Sequence, residues 1–225
     1  MPACSYRLAR PISMCLRMQA CCITWLLSGT FMVNDVLRGP LMTFFIDTSK
    51  KDSSEEISFL LKKCILHHKK AWNELVFLCI GSDRITGDCL GPYIGNSLTP
   101  YAGGQIHVYG TLNHPVHALN LTKVIAHIQN RHPSALVIAI DACLGQKKHL
   151  GYVTIGNGSL HPGAGVRKEL PPVGDIYITG IVNIGGMLEQ FTLQTTRLST
   201  VISLGDTIAQ GIVRLIPSEG IIQTL

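Results

Sequence analysis

The sequence predicts an α/β protein, an α/β/α sandwich around a mostly parallel sheet. Three observations predict it. Two strand-length apolar runs, Val76–Ile80 and Ala135–Ile140, are continuous rather than alternating, as in strands covered on both faces. Segments with helical periodicity alternate with these and with other strand-like runs. Each of the two runs ends in a polar junction carrying a carboxylate, the place where such sheets put their sites.

Along the chain, residues 1–45 stand apart. They carry Arg7, Arg10, Arg17 and Arg38 against Asp35, a net +3, while the rest has 15 basic and 13 acidic side chains. The apolar run Ala20–Leu27 is far short of the ~20 residues that span a bilayer, and no A-x-A cleavage site follows it. The expected organisation is an extension over 1–45, poorly ordered or read from an upstream start with Met32 or Met42 as the true beginning, and one domain over 46–225. No membrane role follows. With the folded part nearly neutral and lacking a basic patch or aromatic-rich motif, nucleic-acid binding is excluded as well.

Ser53 or Ser54 is placed to cap a helix with Glu55 and Glu56 in its first turn and Ile57, Leu60, Leu61, Cys64 and Ile65 on one face. Strand 75–80 follows, then the loop Gly81–Pro92 and a short helix to Leu98. Gly103-Gly104 turns the chain into strand 105–109. His114-Pro115 opens a predicted helix over 116–129. Strand 135–140 ends at Asp141. Strand 151–155 follows too soon for a crossover helix, which predicts an antiparallel strand. A glycine-rich loop, GNGSLHPGAG, leads to strand 175–182, a helix near 187–195 and a last helix over 198–215. The eight cysteines form no CxxC, so they read as free thiols in a reducing cytoplasm.

Asp88 and Asp141 are the leading candidates for chemistry. Both follow apolar strands, and as neighbours in a parallel sheet those strands would bring the two acids together. Such a pair can activate water and protonate a leaving group. Asp88 has other readings, as a metal ligand or as the N-cap of the helix that follows. His161 lies where Gly163 and Gly165 free backbone N–H groups to face a ligand, and it is the candidate third member. Asp83, in the Gly81–Pro92 loop with Asp88, is a further candidate for binding substrate or completing the site, as are Gly163 and Gly165. No cofactor is expected; the alternative is a divalent metal on Asp88, Asp141 and His161. A Rossmann dinucleotide loop is unsupported, since Gly81-Ser82-Asp83 lacks the GxGxxG spacing.

GSDRITGDCLGP, AIDACLG and LHPGAGVRKEL, in this order, resemble the sporulation proteins of the YyaC type, relatives of the germination protease, and more distantly the hydrogenase maturation endopeptidases. The resemblance covers roughly residues 50–215. It implies a three-layer α/β/α sandwich around a mixed five-stranded sheet, with Asp88 and Asp141 at the catalytic aspartate positions. It implies an endopeptidase of sporulation or germination in the cytoplasm of the spore or forespore. The substrate would be a protein or peptide such as the small acid-soluble spore proteins, and a homo-oligomer would fit. The protease is longer and carries a pro-segment that residues 1–45 do not resemble. Two alternatives therefore stay open, a noncatalytic peptide- or metal-binding protein that keeps the cleft, and a metal-dependent amide hydrolase.

Overall fold

A computed structural model describes residues 43–163 and 170–216. The extension expected over residues 1–42 lies outside the described residues. Strand β1 (Thr43–Asp47) comes first, then helix α1 (Ser53–Leu66), strand β2 (Glu74–Cys79), helix α2 (Leu90–Leu98), strand β3 (Ile106–Tyr109) and helix α3 (Leu121–Arg131). Strands β4 (Ala135–Gly145), β5 (Tyr152–Asn157) and β6 (Ile176–Ile184) follow, then helices α4 (Glu189–Gln194) and α5 (Leu198–Val213).

Among the described residues the strands form one mixed sheet in the order β1-β5-β6-β4-β2-β3. It has six strands, not five. The extra one is β1, whose Thr43, Phe44 and Phe45 the sequence assigned to the extension. They pair antiparallel with β5, and Ile46 is fully buried there. The β3-β2-β4-β6 block is parallel. β5 is antiparallel, as its short connection predicted, but it pairs with β6 rather than with β4.

Continuous apolar strands arise because both faces are covered. Leu75, Phe77 and Cys79 of β2 join a core with α1, α2 and α5, while Val76 and Leu78 join another with Leu121 and Ile128 of α3. The pleat sends alternate residues to opposite sides, so a strand sandwiched by helices has no position left for a polar side chain. The starts of β4 and β6 are joined by polar contacts. Lys70 pairs with Asp175 at 2.9 Å, and Asp175 accepts the Val137 N–H at 2.9 Å.

Two helix starts differ from expectation. Asp52, not a serine, occupies the α1 N-cap, without a side-chain capping bond, and Ser53 and Ser54 are buried in the first turn. α3 begins at Leu121 rather than near Val116. Val116 is taken instead by a parallel bridge to Ile80, and the Gly81 N–H donates to its carbonyl at 2.8 Å. The loop before α3 folds around Asn120, whose side chain accepts from the His117 N–H and donates to the Pro115 carbonyl.

The place of β1 in the sheet carries a prediction. A chain beginning at Met42 is expected to melt cooperatively within a few degrees of the full chain in scanning calorimetry. One beginning at Thr48 loses β1 and the buried Ile46 and is destabilised by about 3 kcal/mol. Equal stability of the two shortened chains would remove β1 from the domain.

Candidate functional site

The parallel block changes direction at its centre. From β2 the chain crosses to β3 on one side, then returns past β2 to β4 on the other. A crevice opens at the carboxyl ends of strands where connections diverge in this way. The crevice here is a cleft of about 730 Å³ lined by residues of the loop after β2, by Asp141 and Ala142, by the loop before α3, and by Pro162, Gly163 and Leu193.

The loop after β2 is held against the strand end by backbone contact. Gly81 has φ +142°, and a Cβ there would strike the Asp88 carbonyl; a Cβ on Gly91 would strike the backbone of Ile80. Only glycine allows so close an approach. The result is a tight turn, Thr86–Cys89, that carries Asp88 into the cleft wall. Asp88 does not cap α2, which has no side-chain capping bond.

Asp141 is not at a strand end. β4 runs four residues past it, and it pairs with Thr179 of β6. On its other side β2 has ended, since the last β2 pairing is Cys79 with Ile140. So β4 overhangs its neighbour by five residues, Asp141–Gly145, and the first of them carries the acid. Asp141 is buried at 7% exposure and accepts the Ala142 N–H at 2.8 Å. Thr179 and Thr154 continue the row across β6 and β5, buried and hydrogen-bonded to each other at 2.5 Å.

The two acids line one cleft and feel each other. Burial pushes Asp88 up to about 6, against weaker downward pulls from a Ser82 backbone hydrogen bond and from His117. Asp141 is pushed well above the ordinary carboxylate range, by burial first and then by the charge of Asp88. Asp88 therefore ionises first, and its charge holds the proton on Asp141.

The other sequence candidates are placed as follows. Asp83 lines the cleft but is exposed at its rim. Gly163 lines it too, next to the buried Pro162. Gly165 lies outside the described residues. His161 is exposed and stands apart from the cleft lining. Asp88, Asp141 and His161 are not gathered into a three-ligand metal site. The imidazole in the wall is His117, which the sequence reading placed inside a helix. Its flanking Pro115 and Asn120, both turn formers, were the signal for a loop. Among the described residues, one group of three side chains is close enough to hold a metal ion, Glu74, His107 and His132, and it lies outside this cleft. No helix among the described residues is long and apolar enough to cross a membrane.

Comparison with known proteins gives a consistent picture. The chain is 44% identical over 168 residues to the "Uncharacterized protein YyaC" of Bacillus subtilis (strain 168), a match covering 75% of this chain and 81% of that protein. The YyaC-type resemblance seen in the three motifs is supported by this match. The profile of a family described as "Protein of unknown function (DUF1256)" matches residues 45–211, from β1 to α5. The chain belongs to the DUF1256 family, with YyaC of Bacillus subtilis as a relative.

Proposed function

We propose that the chain is a peptide-bond hydrolase whose Asp88 and Asp141 work on one water molecule. The observation that carries this reading is the pairing of two carboxylates in one cleft with offset proton affinities. In the proposed step the Asp88 carboxylate takes a proton from water as the oxygen attacks the scissile carbonyl carbon. Asp141 gives its proton to the carbonyl oxygen, leaving a neutral tetrahedral diol. On collapse the Asp88 proton passes to the leaving nitrogen, the C–N bond breaks, and a hydroxyl proton returns to Asp141. Both acids end as they began, and no metal takes part.

A peptide substrate suits the surroundings. Leu112, Leu119, Leu170 and Leu193 line the cleft, and the segment that supplies Gln190 and Leu193 also exposes Met187, Leu188 and Phe191. An extended chain could lay apolar side chains along that rim, a surface with little use for a small polar metabolite. The proposed setting is sporulation or germination in the cytoplasm of the spore or forespore, with small acid-soluble spore proteins as the first substrates to test.

The test is incubation of the purified full chain with those proteins, with cleavage read by mass spectrometry across pH. The rate is expected to rise through about pH 6 as Asp88 loses its proton, and to fall at higher pH as Asp141 loses its own. Binding of the substrates without any cleavage would favour the noncatalytic reading. Loss of cleavage on chelation, restored by one divalent ion, would favour the metal-dependent one.

A further inference from the structure

A second constellation lies at the other end of the parallel strands. Glu74 opens β2, His107 lies in β3, and His132 caps the carboxyl end of α3. Glu74 is level with Ala135, so about six residues of β4, roughly 20 Å, separate it from Asp141. One carboxylate oxygen and two imidazole nitrogens lie within 4.8 Å of one another.

The contacts within the group are uneven. Nδ1 of His132 donates to Oε2 of Glu74 at 2.6 Å. Nε2 of His107 is 3.0 Å from the same oxygen but not aligned to hydrogen-bond with it, and this buried nitrogen has no hydrogen-bond partner. The two rings stack at 3.9 Å between centroids. The Tyr109 hydroxyl stands 2.9 Å from Nε2 of His132. A Glu–His–Tyr chain that merely tied β2 to the end of α3 would be complete without His107. It leaves unexplained why a buried His107 nitrogen sits beside that carboxylate without forming an aligned hydrogen bond, an arrangement folded proteins rarely tolerate.

We propose that Glu74, His107 and His132 bind a divalent first-row transition-metal ion of the zinc type. Two imidazoles and a carboxylate are a ligand set such ions take, and three protein ligands leave a fourth position open to water. A tetrahedron with bonds of about 2.0 Å has edges of about 3.3 Å, so the 2.6 and 3.0 Å separations need widen only by several tenths of an ångström. Glu74 and His107 are about a quarter exposed, which gives the ion a way in and the carboxylate room to turn. With Nδ1 of His132 on the metal, its Nε2–H turns to donate to the Tyr109 oxygen, the outer hydrogen bond that orients a ligating histidine.

The experiment is titration of the full chain, first stripped of metal, with zinc chloride by calorimetry and thermal melting. One equivalent should bind, and the melting temperature should rise with zinc concentration. His107→Ala and Glu74→Gln should each weaken binding by at least about a hundredfold, and Tyr109→Phe by about tenfold. Asp141→Asn should leave zinc binding unchanged. His107 is partly exposed and Gln matches the shape of Glu, so both ligand variants are expected to fold, as circular dichroism would verify. Cobalt(II) in place of zinc should show no thiolate charge-transfer band, which separates this site from the cysteines. The proposal is overturned by failure of the full chain to bind, by unchanged affinity in both ligand variants, or by a thiolate band.

Discussion

Asp141→Asn is expected to abolish cleavage while leaving the fold intact. Asparagine keeps the shape of the side chain and an oxygen to accept the Ala142 N–H. It loses only the proton that the proposed step sends to the carbonyl oxygen. General acid–base catalysis by one group contributes about 10²–10⁴ in rate, so kcat should fall by that factor, with a smaller change in KM. Single-turnover cleavage followed by mass spectrometry would measure it. Asp83→Asn, at the exposed rim, should retain most of the activity. If Asp141→Asn also retained most of its activity, the paired-carboxylate mechanism would be wrong.

Asp88→Asn is expected to make the protein more stable, and only above about pH 4. The carboxyl of Asp88 is raised from 3.8 to about 6, chiefly by burial. The unfolded chain therefore gives up this proton at lower pH than the folded one. Ionisation penalises the fold, and the penalty grows between about pH 4 and 6 and is constant above that. The full shift corresponds to about 3 kcal/mol. Asp88 is partly open to solvent, so a gain of about 1–2 kcal/mol at pH 7.5 is the reasonable expectation. That is a rise of about 4 °C in melting temperature for a domain of this size. Melts at pH 4 and pH 7.5 test the sign. A gain of equal size at both would show that charge is not its source. A loss at pH 7.5 would make Asp88 a structural acceptor rather than a group held ready for chemistry.

Much of this site was legible in the residues. Buried parallel strands read as unbroken apolar runs, and the acid after each run pointed to the cleft. The pairing of β2 with β4 then followed from ordinary βαβ topology. What failed to show was set by contacts distant in sequence. β1 is a run of five residues, too short to display a period, and it is a strand because β5 offers it an edge. Val116 has helical neighbours in sequence, yet Ile80 draws it into a bridge, and that leaves His117 in a loop facing the cleft. Glu74, His107 and His132 have no motif spacing, because each comes from a different element and only the β2–β3 pairing and the end of α3 bring them together.

The glycine contacts beneath Asp88 have a consequence for motion. Where Gly81 and Gly91 lie against the backbones of Asp88 and Ile80, no side chain separates the main chains. No rotamer there can change to give slack, and the turn that carries the carboxylate moves with the central strand as one piece. A ligand that needs a wider opening must find it in the opposite wall, where Asn113, His117–Leu119 and Pro162–Gly163 belong to loops rather than to the sheet. The cleft behaves as an anvil with a movable jaw, and loops of that kind shift on nanosecond to microsecond timescales while the anvil keeps its shape.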